Sequence, residues 1–283
     1  MKGSHKADRV IKKSNSQTSQ NPKVKPNKQK GGKQRNFVYF RTLVPSIITT
    51  LALCAGLNSF RFALEGRYEL AVEFIFLAAL LDAIDGRVAR ALKAESKIGG
   101  QLDSLADFFN FGIAPIMMIY FWQLNEIERL GWLVVILYTV CTALRLAKFN
   151  VLQDALSSDD GETMPIWTQN FFVGVPSPVA GIMVLSPLYL SFLGFDMSSF
   201  LMPIACLVVI LSLLMVSSIP TFSLKHLKFK VPRVYLISII LTFVLIAGAL
   251  STFPWIMILI LCAAYLLSIP VAIYKYRQME RTL

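Results

Sequence analysis

The sequence predicts an all-α, polytopic membrane protein with about eight transmembrane helices. Three observations carry that expectation. Apolar residues make up 55% of the 283-residue chain, charged residues only 16%, and the mean hydropathy is +0.59. Eight apolar stretches approach the roughly 20 residues that a helix needs to cross a bilayer core of about 30 Å. The basic residues are distributed asymmetrically along the chain, as they are when loops alternate between two sides of a membrane. Lipid offers the backbone no hydrogen-bond partner, so such stretches default to helix.

In chain order the spans are expected at 43–60, 70–81 (continuing into a polar motif), 108–124, 130–146, 171–192, 200–219, 234–250 and 253–273. Glu69 and Glu73 shorten the apolar part of the second span, and its far end carries charge. Ahead of the first span, residues 1–41 hold 12 Lys/Arg against one acid, Asp8. The remainder of the chain balances 16 basic residues with 16 acidic ones, so the net charge of +11 resides in this segment. Residues 1–36 are rich in Asn, Gln, Ser, Gly and Pro, with too few apolar groups to offset the entropy of ordering. They are expected to form a disordered basic cytoplasmic tail that sets orientation or is attracted to anionic lipid. No nucleic-acid partner is expected. No apolar stretch follows a short basic start, so a cleavable secretory signal is not expected.

With that tail inside and eight helices alternating, the outer loops hold only Arg61, Arg67 and Arg129, and the other 25 basic residues fall inside. The chain is therefore expected in the inner (cytoplasmic) membrane with both termini facing the cytoplasm. Cys54, Cys141, Cys206 and Cys262 are scattered through apolar runs without a CxxC pair, and His5 and His226 lie in basic segments. Zinc ligation and nucleophilic Cys or His chemistry are excluded on that basis.

Acids at a membrane edge are costly, so their clustering points to function. Four aspartates fall in the run Asp82-x2-Asp85-Gly86-x2-Ala89-Arg90-x8-Gly99-x3-Asp103-x3-Asp107. On a helix, Asp82, Asp85, Gly86 and Ala89 share one face, as do Gly99, Asp103 and Asp107. Residues 91–98 can turn the chain between two such helices, setting two pairs of carboxylates against each other. Four unpaired carboxylates would repel, and divalent cations relieve the repulsion. Oxygen-only ligation suits Mg²⁺ or Mn²⁺, and a pair of such ions suits a polyphosphate. Gly86, Ala89 and Gly99 leave room for a ligand, or for close helix packing.

These eight fixed positions resemble the signature of the CDP-alcohol phosphatidyltransferase family. With each residue type at about 5–8% usage, a chance match at a given start is on the order of 10⁻⁹ to 10⁻¹⁰. The resemblance implies a six-helix catalytic core, here 37–220, followed by two additional helices and a short cytoplasmic tail in 221–283. It implies a homodimer and a CDP-activated lipid donor, CDP-diacylglycerol. It further implies that Asp82, Asp85, Asp103 and Asp107 hold two metal ions and that Asp107 accepts the proton of the acceptor hydroxyl. Asp82, Gly86, Ala89, Arg90 and Gly99 would bind the CDP moiety. One departure stands near the first span, where members often read Pro-Asn-x-x-Thr and this chain has Pro45-Ser46-Ile47-Ile48-Thr49.

Two later segments bear on the acceptor. Leu144-Arg145-Leu146-Ala147-Lys148-Phe149-Asn150 closes the fourth span, and Gly174-Val175-Pro176-Ser177-Pro178 opens the fifth. Arg145 and Lys148, three apart, can present two cations to one carboxylate, and the prolines free backbone groups for a polar ligand. Both segments are similar to runs in bacterial membrane-embedded phosphatidylserine synthases. That resemblance implies L-serine as acceptor, bound by Arg145, Lys148, Pro176 and Ser177. From the residues alone, snorkelling side chains and an ordinary helix entry explain the same segments. Glycerol 3-phosphate, inositol phosphate and choline stay open as acceptors, choline through an aromatic cage of Trp167, Phe171 and Phe172. An ion-coupled transporter is the reading from another class. It is disfavoured because the acids cluster once, at one edge.

Overall fold

The computed structural model describes residues 40–92, 96–157, 171–217, 220–222 and 236–280. The basic tail at 1–36, the basic loop at 225–233 and Trp167 lie outside the described residues.

Helix α1 (Phe40–Leu64) and helix α2 (Tyr68–Leu92) form an antiparallel hairpin. Its turn is short because Gly66 adopts φ +75°, a left-handed conformation that residues with a Cβ resist. The Gly66 and Arg67 amides donate back to the carbonyls of Ala63 and Phe62 and satisfy the helix end.

Helix α3 (Lys97–Asp107) starts where the chain can be capped. Ser96 is extended (φ −131°, ψ 148°), and its Oγ accepts from the Gly99 amide at 3.0 Å. The helix then widens into a π segment, Phe108–Ile113, and resumes as α4 (Ala114–Trp122). The Ala114 amide donates to the Phe109 carbonyl, five residues back, which is the π pattern. Together these pieces make one apolar span, Ile98–Trp122, with the second half of the motif at its head.

A 3-10 turn at Leu124–Ile127 leads into α5 (Glu128–Ser157). Its Gly131 lies under the Leu124 carbonyl, where a Cβ would come within 1.9 Å of that oxygen. Beyond the undescribed stretch, a three-residue strand β1 (Phe171–Val173) pairs antiparallel with β2 (Pro220–Phe222), Phe172 opposite Thr221. Between the strands lie α6 (Ser177–Val184), α7 (Ser186–Phe192) and α8 (Leu201–Val216). The fifth span thus differs from the expectation of one helix over 171–192. It opens as a strand, turns at Gly174 (φ +80°), enters helix only after Pro176, and breaks at Leu185 ahead of Pro187. Proline supplies no amide to the preceding turn, which accounts for both the late start and the break.

Helices α9 (Leu236–Thr252) and α10 (Pro254–Glu280) meet at Pro254 with a bend of 116° rather than as an antiparallel pair. By length and apolarity four described helices can cross a membrane, and five if the bent pair counts as one broken span. The expected number of eight is not reached on that criterion. Helix α2 carries acids at both ends, and α6 and α7 are individually short.

The chain is an all-α membrane protein apart from the small ribbon. Ile75, Ile116, Tyr138, Leu188, Tyr189 and Leu211 are fully buried at the centre. Leu51, Leu133, Ile210 and Leu245 are more than half exposed, as side chains facing lipid should be. Helix α6 approaches the π segment closely enough that a Cβ on Gly181 would lie 3.1 Å from three atoms of Phe111. Small residues at such crossings let backbones touch, which is how membrane helices gain packing energy.

Candidate active site

The four motif aspartates converge where the C-terminal half of α2 faces α3. One carboxylate oxygen each from Asp82, Asp85 and Asp103 lies within 4.8 Å of the others. Asp107, one turn beyond Asp103, brings its carboxyl group into hydrogen-bond contact with that of Asp82. Two carboxyl groups approach so closely only with a proton or a cation between them. The other oxygen of Asp107, Oδ1, is buried and accepts no hydrogen bond. Among the described residues the only ion pairs are those of Glu65 with Arg61 and Arg67, at the far end of the hairpin. No basic side chain among the described residues neutralises the cluster by direct pairing. An all-oxygen, uncompensated set of this kind fits hard divalent cations, so the residues present agree with a family that depends on such metals.

Neighbouring elements fix the carboxylates. The Thr49 hydroxyl on α1 donates to Asp85 Oδ2 at 2.7 Å, with the Pro45 carbonyl at 3.1 Å as a second, weaker acceptor. Both Thr49 and Asp85 are buried, so the bond is shielded from water. Beside Asp103, Ser104 accepts from Asn150 Nδ2 at 3.0 Å and lies 3.1 Å from the Gly100 carbonyl, to which it can donate. This ties α3 to the end of α5. The π segment that follows Asp107 is held by Tyr138, whose buried hydroxyl donates to the Phe111 carbonyl at 3.1 Å. Asn110, also buried, donates to the Ala52 carbonyl at 3.3 Å across the gap left by Gly56.

Of the expected nucleotide-binding residues, Gly86 borders open space. A Cβ on Gly86 would meet nothing within 4 Å, and Gly86 is exposed. Ala89 is half-buried on the same helix. Arg90 is exposed and its Nε donates to the Gly86 carbonyl one turn back, which leaves the rest of the guanidinium beside the site. Gly99 sits between its own cap and α1: a Cβ there would be 2.9 Å from Ser96 Oγ and 3.6 Å from Ser46 Oγ. The residue that departs from the family pattern, Ser46, therefore borders the motif directly.

Of the four residues expected at the acceptor, the structure joins two. Arg145 Nη1 donates to Ser177 Oγ, Ser177 being the buried first residue of α6. Pro176 immediately precedes that helix with φ −59°, ψ 140°, and so sets the direction in which Ser177 enters. Arg145 is also within electrostatic reach of Asp107, and its ring neighbour is Phe149 at 6.0 Å. Its Nε is buried and makes no hydrogen bond. Lys148 is exposed, whereas Arg145 is turned inward. The site thus has a face of carboxylates that could hold a metal ion and, within electrostatic reach of Asp107, one inward guanidinium with donor capacity to spare.

Several residues that build the site escaped the sequence reading: Thr49 as a partner of Asp85, Ser104 with Asn150, and Tyr138. Their signal was polarity inside apolar spans, where each polar group must find a partner.

Residues 42–211 match the sequence model of the family described as CDP-alcohol phosphatidyltransferase. The chain is 40% identical over 239 residues to the CDP-diacylglycerol-serine O-phosphatidyltransferase of Mycobacterium leprae, covering 83% of this chain and 76% of the relative. It is 30% identical over 226 residues to the enzyme of the same name from Helicobacter pylori strain J99, covering 75% and 86%. An archaetidylserine synthase of Methanothermobacter thermautotrophicus is 31% identical over 178 residues, covering 62% and 68%. Signature, carboxylate geometry and relatives agree, and the chain belongs to the CDP-alcohol phosphatidyltransferase family.

Proposed function

We propose that the protein transfers the phosphatidyl group of CDP-diacylglycerol to the hydroxyl of L-serine, forming phosphatidylserine and CMP in phospholipid biosynthesis. The observation that carries this reading is the inward Arg145, joined to Ser177 and within electrostatic reach of Asp107. A serine carboxylate is the natural partner for a guanidinium with unused N–H groups, and it would bring the serine hydroxyl toward Asp107. Choline carries no carboxylate, and the phosphate of glycerol 3-phosphate or inositol phosphate would call for a denser set of cations than Arg145 and Lys148 supply. The names of the bacterial relatives, and of the archaeal one, all specify serine.

Asp82, Asp85, Asp103 and Asp107 would hold Mg²⁺ or Mn²⁺, two ions by the number of carboxylates. When bound, such ions neutralise the diphosphate and the departing CMP. The protein's own part is positioning and proton transfer. Gly86, Ala89 and Gly99 border the cytidine, and Arg90 steadies the diphosphate from the edge. Arg145 and Ser177 orient serine, with the bend at Pro176 holding Ser177 in place and Lys148 attracting the serine carboxylate from outside. Asp107 Oδ1, buried and without a donor, accepts the serine hydroxyl proton as the oxygen attacks the lipid-side phosphorus. The bond from that phosphorus to the bridging oxygen breaks, and CMP leaves with its electron pair. Holding the reactants in this geometry supplies most of what a weak base cannot.

A lipid donor would keep its acyl chains in the bilayer while its diphosphate meets the cluster at the membrane edge. The excess of basic residues on one side supports the inner membrane with the site and both termini cytoplasmic. A homodimer and a six-helix core over 37–220 complete the proposal. The decisive experiment follows CMP release from CDP-diacylglycerol by the purified protein, offering serine, glycerol 3-phosphate, inositol phosphate and choline separately. Release that requires serine supports the proposal, and release with another acceptor overturns the assignment to Arg145.

A further inference from the structure

Ser177 is reached through three residues, Gly174, Val175 and Pro176, that belong to neither a helix nor the ribbon. Gly174 adopts φ +80° against the C-terminal end of α8. A Cβ there would lie 2.6 Å from the Met215 carbonyl oxygen and 2.9 Å from that of Ser217, where ordinary contact begins at 3.4 Å. Both obstacles are backbone atoms, which cannot rotate aside. Val175 is buried, and its amide donates to the Leu214 carbonyl at 3.3 Å. Two consecutive residues are thus seated on the carbonyls of Leu214, Met215 and Ser217. These three lie beyond residue 211, where the match to the family's sequence model ends. The same end of α8 also touches the helix that carries Arg145. The buried Thr142 hydroxyl lies 2.9 Å from the Tyr138 carbonyl and 3.8 Å from the Met215 sulfur. Tyr138, Thr142 and Arg145, spaced four and three residues apart, share one face of α5. Along that face Tyr138 donates to the Phe111 carbonyl, Thr142 fills the space left by Gly112, and Arg145 reaches Ser177. Met215 therefore meets α5 one turn from Arg145 through its side chain, and seats Gly174 three residues from Ser177 through its carbonyl.

We propose that Gly174 is a positioning residue for the acceptor: its seat on the end of α8 sets where Ser177 meets Arg145. This rests on the reading of Arg145 and Ser177 as the acceptor-binding pair. The Ser177 hydroxyl fixes one amino group of Arg145 and so the direction in which the remaining N–H groups are offered. Alanine at position 174 would meet a left-handed φ that residues with a Cβ resist, and it would push the chain off the α8 carbonyls. The displacement reaches Ser177 three residues on. The carboxylate cluster, built on α2 and α3, does not depend on that seat. The end of α8 thus acts on the acceptor half of the site and leaves the donor half alone.

Steady-state kinetics of Gly174→Ala, Ser177→Ala and the double variant test this, using whichever acceptor the wild type accepts. Gly174→Ala should raise the acceptor KM by about ten-fold while the KM for CDP-diacylglycerol stays within about two-fold of wild type. Added to Ser177→Ala, it should raise the acceptor KM much less, because the contact it positions is already gone. An acceptor KM raised by Ser177→Ala but unchanged by Gly174→Ala overturns the inference alone. So does an equal loss toward both substrates, or a full ten-fold effect on top of Ser177→Ala, either of which makes Gly174 a folding residue only. An acceptor KM unchanged in Ser177→Ala overturns the reading on which the inference rests. Should Gly174→Ala fail to fold, Val175→Ala keeps the backbone conformation and shortens only a buried side chain of the seat. A rise in its acceptor KM alone supports the inference, and equal loss toward both substrates, or none, overturns it.

Discussion

The Thr49 hydroxyl donates to Asp85 Oδ2 at 2.7 Å, joining two helices through residues 36 positions apart in the chain. It fixes one carboxylate of the cluster from the opposite helix of the hairpin, so that Asp85 offers its remaining lone pairs in a constant direction. Partners of this type orient metal ligands, and their removal lowers metal affinity or activity by roughly 10- to 100-fold.

Thr49→Val should therefore raise the Mg²⁺ or Mn²⁺ concentration needed for half-maximal CMP release by at least about ten-fold. Valine keeps the branched shape but donates nothing, so the change isolates the hydroxyl. A metal titration of the purified variant checks this. An unaltered midpoint would mean that the bond holds α1 and α2 together without influencing the cluster.

Gly86 and Gly56 give opposite expectations for the same substitution. At Gly86 a Cβ meets nothing within 4 Å, and alanine is better than glycine in a helix by about 1 kcal/mol. Gly86→Ala should leave the unfolding temperature equal or higher while raising the KM for CDP-diacylglycerol, because the proposed nucleotide site takes up that space. At Gly56 a Cβ would fall 2.0 Å from Asn110 Oδ1. Gly56→Ala should lower the unfolding temperature, since Asn110 must give up its bond to Ala52 or α1 must move. Thermal unfolding beside substrate titration separates the two. A Gly86→Ala protein with wild-type KM would remove Gly86 from the nucleotide site.

Tyr138 supports the π segment that begins immediately after Asp107. In Tyr138→Phe the Phe111 carbonyl loses a buried donor, at a cost of about 1–3 kcal/mol. The activity should fall more than the stability does, because a π segment that relaxes toward α geometry rotates Asp107 relative to Asp82. Circular dichroism melts and turnover at saturating substrates check this. Turnover at the wild-type level in a folded variant would show that Asp107 does not depend on the segment.

Much of this arrangement was legible in the sequence because it follows helical periodicity. The spacing of Asp82, Asp85, Asp103 and Asp107 placed the carboxylates on facing helices, and the turn expected within 91–98 is capped by Ser96. Arg145 was legible as a cation inside an apolar run, and the structure turns it toward Ser177. What periodicity does not encode was missed. The π segment at Phe108–Ile113 has an ordinary apolar sequence, and its widening becomes evident only from the Ala114 amide reaching Phe109. The break at Leu185 and the 116° bend at Pro254 both sit at prolines inside otherwise continuous apolar runs, where composition alone reads as one span or a simple hairpin. Lys148 and Arg145 are three residues apart, yet only Arg145 is inward, because packing against α6 decides which helix face is buried.

The most direct test of the central claim, that the aspartate cluster drives phosphatidyl transfer to serine, is incorporation of labelled serine into lipid. It would be run in detergent with CDP-diacylglycerol, with and without a divalent-metal chelator, for wild type, Asp103→Ala and Asp107→Asn. The account predicts labelled phosphatidylserine matched mole for mole by CMP in the wild type. It predicts loss of product on chelation, restoration by Mg²⁺ or Mn²⁺, and at least about a hundred-fold loss in both variants. Undiminished serine incorporation by folded Asp103→Ala, or by wild type with the metal removed, would contradict it.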